Sequence, residues 1–240
     1  DEGILSERFA KLCSEALSYD RPLYTHQVNA IRKIVAGQNL VVSTGTGSGK
    51  TETFLIPILN YLMQEEDAGT LDQPGVRALL LYPMNALATD QARRIAALVA
   101  QVPAFAGLRV GLYVGGLAGK PGDGMVMTPT GVITDRDTLR KHPPEILLTN
   151  YKMLDYLMLR PKDRQLWTNN TPTTLRYVVV DELHTFDGAQ GTDRAAVEPL
   201  DAAVQGGDGP VHGGGAKTAG FVQALAEAHG AAEAVEHAKA

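Results

Sequence analysis

Residues 44–51 read TGTGSGKT, three glycines interleaved with hydroxyl side chains and closed by a lysine and a threonine. A stretch of this kind can hold a phosphate chain. Gly45, Gly47 and Gly49 free the backbone to turn sharply, so that the N–H groups of Thr46, Ser48 and their neighbours converge on phosphate oxygens. Lys50 is placed to neutralise the β and γ phosphates, and the Thr51 hydroxyl to ligate Mg²⁺. The apolar segment LVVS (40–43) precedes the turn and the helix-like run KTETFLIPIL follows it, which aims the positive end of a helix at the anion. The strict pattern for such a loop asks for glycine where this chain has Thr44. The chemistry depends on converging amides rather than on that one residue. A glycine-rich turn with an incidental lysine is the competing reading. The order of apolar strand, turn and helix favours a bound nucleotide.

Hydrolysis of a nucleotide held there needs a carboxylate that binds Mg²⁺ through water and a second that orients the attacking water. RYVVVDELH (176–184) supplies such a pair. Adjacent residues at the end of an extended strand point in different directions, so Asp181 can face the metal while Glu182 reaches toward the γ phosphate. Alone, two acids after a run of valines would serve equally as a polar strand end or a helix cap. Beside the loop at 44–51 they complete a hydrolytic site.

The elements that must position these groups are visible as apolar runs: LVVS (40–43), RALLLYP (77–83), RVGLYVGG (109–116), EILLT (145–149) and LRYVVVDE (175–182). Between them lie KTETFLIPILNYLMQEE, NALATDQARRIAALVAQV and NYKMLDYLMLR, whose apolar residues recur near the helical period. In the second, Leu87, Ile95, Leu98, Val99 and Val102 share one side. Continuous apolar strands alternating with helices predict an α/β fold, a mostly parallel sheet covered by helices on both faces. Ligands in such folds bind beyond the carboxyl ends of the strands. Pro57 removes one hydrogen bond from the helix after the glycine-rich turn and is expected to bend it. AGKPGDGMVMTPTG (118–131) reads as a long surface loop. After residue 200 the chain turns to alanine and glycine. We therefore expect a core over residues 1–200 and a tail over 201–240, flexible or helical and outside the core. His229, Glu233 and His237 in that tail are spaced four apart, but without a fourth ligand a solvated helix face is favoured over zinc.

A chain of 240 residues with 44% hydrophobic content can bury a sizeable core. Its net charge of -5 gives no overall basic field, so any contact with nucleic acid must come from local groups. The one cysteine, Cys13, cannot form an internal disulfide. No window approaches the roughly 18 apolar residues of a membrane span, and the N-terminus lacks a basic segment followed by an apolar one. The expectation is a soluble, cytoplasmic chain without membrane contact. It starts at Asp1 rather than Met, as a fragment or processed form would.

Taken together, these stretches resemble the superfamily 2 helicases of the DExH type. TGTGSGKT and DELH are similar to motifs I and II, and Thr or Ala commonly stands at the position of Thr44 in that superfamily. LYTHQ (23–27) lies where the Q motif sits, which implies that Gln27 reads the adenine edge, with Tyr24 also at the nucleotide. YPMNALATDQ (82–91) is similar to motif Ia and LLTNYKML (147–154) occupies the place of motif Ic. Among these helicases, YPMNALATDQ, LLTNYKMLDYLMLRP and VVVDELHTFDGAQGTD together resemble the Hrq and MrfA type and their kin in antiphage defence. The resemblance covers residues 4–195 and implies one RecA-like P-loop NTPase domain using ATP and Mg²⁺. It also implies that Pro83, Asn85, Gly115, Gly116, Thr149 and Asn150 line the path of one nucleic-acid strand, single-stranded DNA or a DNA duplex end. Small groups and backbone donors suit a motor that moves over any sequence, although Asn150 would equally cap a helix starting at Tyr151. His184 resembles the DExH histidine that links motif II to motif III.

Downstream of motif II the family continues with another apolar strand, motif III, and a second RecA-like domain carrying an arginine finger worth about 10³ to 10⁵ in rate. Neither pattern follows here. The expectation is a motor domain that works with a second RecA-like domain in cis and that alone hydrolyses ATP slowly and unwinds nothing. Two rivals remain: a catalytically inactive module that binds nucleic acid or partner subunits, and a P-loop ATPase acting on protein. The motif Ia and LLTNYKML stretches speak against the second. Trp167 and Tyr177 are expected in core or loop packing.

Overall fold

A computed structural model describes residues 3–11, 17, 20–44, 47–116 and 122–182. Cys13, Gly45, Thr46, His184, the expected boundary near residue 200 and the tail with His229, Glu233 and His237 lie outside the described residues.

Four strands form one all-parallel sheet: β1 (Ala78–Tyr82), β2 (Val110–Tyr113), β3 (Ile146–Asn150) and β4 (Tyr177–Val180), in the order β2-β3-β1-β4. Ala78 stands opposite Ile146 and Tyr177, and Val110 opposite Ile146, so every strand delivers its carboxyl end to the same edge. Side chains on a strand alternate between faces, and each face has its own apolar layer. Leu80, Tyr82, Leu112 and Leu148 pack with Ile58, Leu59 and Leu62 of α2 (Lys50–Asp67) and Ile95 of α3 (Asn85–Gln101). Leu79, Leu81, Tyr113 and Leu147 pack with Leu154 and Leu157 of α5 (Tyr151–Leu159), and with Trp167. Trp167 is thus a core residue. Helix α2 is assigned as one helix through Pro57. The remaining helices are α1 (Thr25–Val35) and the short α4 (Arg136–Lys141) and α6 (Pro161–Arg164). No helix among the described residues is long and apolar enough to cross a membrane.

Buried polar groups tie the layers together. The Tyr113 hydroxyl donates to Asp163 Oδ1 at 2.6 Å, and Arg140 Nη2 and Nε donate to the same oxygen at 2.7 and 3.1 Å. These bonds pin α4 and α6 against β2. At the opposite edge of the sheet, Glu145 accepts from the Arg109 backbone N at 2.6 Å and from its Nε at 3.1 Å. Gly111 in β2 is required by packing: a Cβ there would stand 2.5 Å from Leu139 Cδ2 and 2.8 Å from Pro144 Cγ. Gly111→Ala is expected to cost about 1–3 kcal/mol through overpacking, measured as a lower urea midpoint.

Two elements differ from the sequence expectation. Residues 40–44 form no strand, and Leu40, Val41 and Val42 are half-buried without a ladder. The outer edge of β4 is open among the described residues, and residues 40–44 make no ladder with it. All four residues of β4 are only half-buried, as befits a sheet edge. The second difference follows the glycine-rich loop, where Ile133 comes to lie along β2. Its N donates to Val110 O at 2.9 Å, and its O accepts from Leu112 N at 2.8 Å.

Candidate functional site

Helix α2 starts at Lys50 because Gly49, its cap, adopts φ 77, a left-handed conformation that glycine adopts without strain. A Cβ at Gly49 would also lie 2.4 Å from Gln27 Nε2. The loop is braced from within: Lys50 Nζ donates to the Thr44 carbonyl at 3.1 Å, and the Thr44 and Ser48 hydroxyls lie 2.6 Å apart. It is also braced from α1. Gln27 is buried, its Nε2 donating to Gly49 O at 2.9 Å and its Oε1 accepting from Tyr24 N at 2.9 Å. Both ends of this amide therefore hold the loop and the start of α1 together. His26, which the sequence reading did not single out, stands 3.0 Å through Nε2 from Ser48 O. Its ring stacks on Tyr24 with centroids 5.7 Å apart. Tyr24 is 61% exposed, a flat aromatic surface beside the loop. The signal that could have found His26 is its place between Tyr24 and Gln27 in LYTHQ.

Asp181 and Glu182 leave the end of β4. The Asp181 N donates to Leu81 O at 2.9 Å, which extends the β1–β4 ladder by one residue. Glu182 N then donates to Asp181 Oδ1 at 3.0 Å. Glu182 has φ 50 and is the one non-glycine residue with positive φ among those described, an uncommon conformation that clusters at functional sites. Burial raises the Asp181 carboxyl above the usual range, the Glu182 charge adds to this, and the Lys50 ammonium opposes it. The loop lysine and the strand-end acid are therefore in each other's field. No three His, Cys, Asp or Glu side chains form a metal cage among the described residues. Mg²⁺ seldom uses one; it takes one or two carboxylates together with phosphate oxygens and water, a set that Asp181 and Thr51 fit.

The raised acid carries a stability consequence. An acid whose pKa rises on folding favours the folded chain below its unfolded pKa and loses that contribution as pH climbs through the folded value. Ionised Asp181 thus works against folding at neutral pH. Asp181→Asn is expected to raise the Tm of the ligand-free chain at pH 7 and to change it less near pH 4, read by thermal unfolding at both values.

A second group of residues gathers at the same edge, at the ends of β1, β2 and β3. Asn85 Nδ2 donates to Gly115 O at 2.9 Å, and Asn150 Nδ2 donates to Asn85 Oδ1 at 2.5 Å. Asn150 Oδ1 accepts from Met153 N at 2.7 Å, so it caps α5 as well. Gly116 is exposed at φ 76 and Pro83 is half-buried beside them. Thr149 departs from the expectation that it faces a bound strand. It is fully buried and its hydroxyl donates to Tyr113 O at 2.6 Å, because its register with Leu81 and Tyr113 turns it into the α5 layer. Arg136, missed in the sequence, brings a cation to this edge. Its Nη2 donates to Val114 O at 3.3 Å and its guanidinium lies 5.0 Å from the centre of the Tyr113 ring.

Comparison with known proteins places this geometry. The DEAD/DEAH box helicase family matches residues 24–200. The chain is 30% identical to the Druantia protein DruE of Escherichia coli (strain UMEA 4076-1), over 74% of this chain and 14% of that one. It is 27% identical to the ATP-dependent helicase hrq1 of Schizosaccharomyces pombe, over 81% of this chain and 16% of that one. The crystal structure of the DUF1998 helicase MrfA bound to DNA and AMPPNP superposes with a TM-score of 0.59 at 29% identity, covering 82% of this chain and 24% of the other. The chain thus spans a quarter or less of each of these relatives. With its parallel sheet and its match across more than half its length, the chain belongs to the DEAD/DEAH box helicases and is a RecA-like domain of the Hrq and MrfA type.

Proposed function

We propose that this chain is the ATP-binding half of a motor that translocates on or separates DNA. One observation carries the reading: half-buried Asp181 continues the β1–β4 ladder through its N to Leu81 O at 2.9 Å, on the sheet edge that also holds the Asn85, Gly115 and Asn150 cluster, and the Lys50 charge favours its ionised form. Residues 44–51, with Gly45 and Thr46 among them, would cradle the triphosphate, Lys50 neutralising its terminal phosphates. Tyr24 offers a face to the adenine, while Gln27 holds the loop in shape and presents its amide nearby. Thr51 and Asp181 would hold Mg²⁺, which when bound draws charge from the β and γ phosphate oxygens. Glu182 would orient the attacking water and accept its proton, and His184 would pass the state of the site onward. Pro83, Asn85, Gly115, Gly116 and Asn150 would meet the phosphates of one DNA strand, with Arg136 supplying the local charge that the acidic chain otherwise lacks. Thr149 supports that surface from beneath. A second RecA-like domain, closing over the nucleotide, would supply the arginine finger and convert closure into a step.

The test is the ATPase rate of the 240-residue chain with and without single-stranded DNA. Slow turnover that DNA stimulates supports the motor. DNA binding without turnover supports an inactive binding module, and DNA-indifferent turnover supports an ATPase acting on protein.

A further inference from the structure

Tyr82, the last residue of β1, carries a buried polar atom that no role described so far employs. The residue is 1% exposed, its ring packed in the layer between the sheet and α2 and α3. Its hydroxyl has no hydrogen-bond partner among the described residues. An unpaired buried hydroxyl costs about 1–3 kcal/mol, so its retention points to a partner that arrives with a ligand.

Strand alternation identifies which groups share the Tyr82 face. Tyr82 shares its face with Leu80, and on the adjacent β4 the same face is taken by Tyr177 and Val179, packed against the same layer. Asp181 is next in that series. Its backbone N bonds to Leu81 O at 2.9 Å, which sets the end of β4 beside Tyr82. Burial first, and then the Asp181 charge, hold the Tyr82 hydroxyl far above its ordinary pKa, with Arg94 opposing. A phenol hydroxyl is a donor near neutral pH. Arg94 is engaged by α2 and its own helix: its Nη2 stands 3.8 Å from Glu52 Oε1, and its Nη1 donates to Gln91 Oε1 at 3.3 Å.

We propose that Tyr82 is a positioning residue whose hydroxyl, once Mg²⁺ and nucleotide occupy the site, donates a hydrogen bond to the Asp181 carboxylate or to the water that carboxylate holds. This fixes the rotamer of Asp181 and so the place of the metal. The inference rests on Asp181 being the metal's carboxylate, as set out above. Tyr82→Phe keeps the ring and its packing and removes only the donor.

The experiment titrates the 240-residue chain with a fluorescent, non-hydrolysable ATP analogue in Mg²⁺ and in EDTA, and follows thermal unfolding without ligand. Tyr82→Phe is expected to unfold at the wild-type temperature or above it, because it removes an unsatisfied buried group. Its affinity in EDTA is expected to equal the wild type's, and its affinity in Mg²⁺ to fall about tenfold, the loss of one hydrogen bond to a charged group. The variant overturns the proposal if its Mg²⁺ titration superimposes on the wild type's, if affinity falls equally in EDTA, or if the ligand-free Tm drops by several degrees. A wild-type chain that binds no analogue would sink the site assignment and this inference together. Mg²⁺-dependent binding that Lys50→Ala abolishes, with Tyr82→Phe silent, would sink this inference alone.

Discussion

Lys50→Ala is expected to weaken Mg²⁺-dependent ATP binding by about 100-fold, the contribution of a charge-assisted bond to a phosphate lost from a partly enclosed site. Fold and stability should be nearly untouched. The lysine makes one hydrogen bond among the described residues, to the Thr44 carbonyl, and a phosphate oxygen would simply replace that acceptor. Its removal should also deepen the cost of the half-buried Asp181 carboxylate, whose raised pKa the Lys50 charge partly offsets. A small fall in Tm at neutral pH is the secondary sign. Glu182→Gln should separate from it cleanly. That carboxylate is assigned to the water and not to the phosphates, so affinity is expected to stay within about threefold while turnover in an intact two-domain motor is lost. Fluorescence titration measures the first quantity and phosphate release the second.

Asp163→Asn is expected to be the most destabilising single change among the polar residues. Its carboxylate is 2% exposed and accepts from the Tyr113 hydroxyl and twice from Arg140. Neutralising it leaves the Arg140 guanidinium, itself largely covered, with only the exposed Asp137 carboxylate at 2.7 Å as counter-charge. Breaking a buried pair from one side costs about 3–5 kcal/mol, which for a domain of this size lowers Tm by roughly 10 °C. The partner change Arg140→Gln in the same chain should recover part of that loss, since no uncompensated charge remains. Urea denaturation of each single variant and of the double variant measures the coupling, and an Asp163→Asn loss below about 1 kcal/mol would mean the network carries no structural weight.

The strands are legible as continuous apolar runs: ALLLY, VGLY and ILLTN are buried on both faces and need no alternation, and half-buried YVVV is marked by its valines. The helix after the loop was legible for a related reason, since Lys50 follows a glycine with φ 77 and a run of apolar residues continues from it. LVVS reads as a fifth strand because composition reports burial, whereas a strand is defined by the ladder it makes with a neighbour, and residues 40–44 make none. Sequence order cannot reveal that β4 ends the described sheet. Thr149 was misassigned for a register reason: one residue along β3 decides whether a side chain faces solvent or the α5 layer, and only the pairing with Tyr113 fixes it. Arg136 and His26 left no pattern of their own. Their roles come from distances to Val114 O and Ser48 O, contacts made across separate segments of the chain.

In the proposed motor the start of α2 and the end of β4 hold a single metal–nucleotide complex between them. Paramagnetic broadening by Mn²⁺ tests it most directly. With the chain ¹⁵N-labelled and a non-hydrolysable ATP analogue present, the amide signals of residues 47–51 and 181–182 should broaden first. Those of Arg109 and Glu145 at the opposite edge of the sheet should persist, and without nucleotide the effect should be much weaker. Broadening that ignores the nucleotide, or that falls at Arg109 and Glu145 while residues 181–182 stay sharp, would contradict the account.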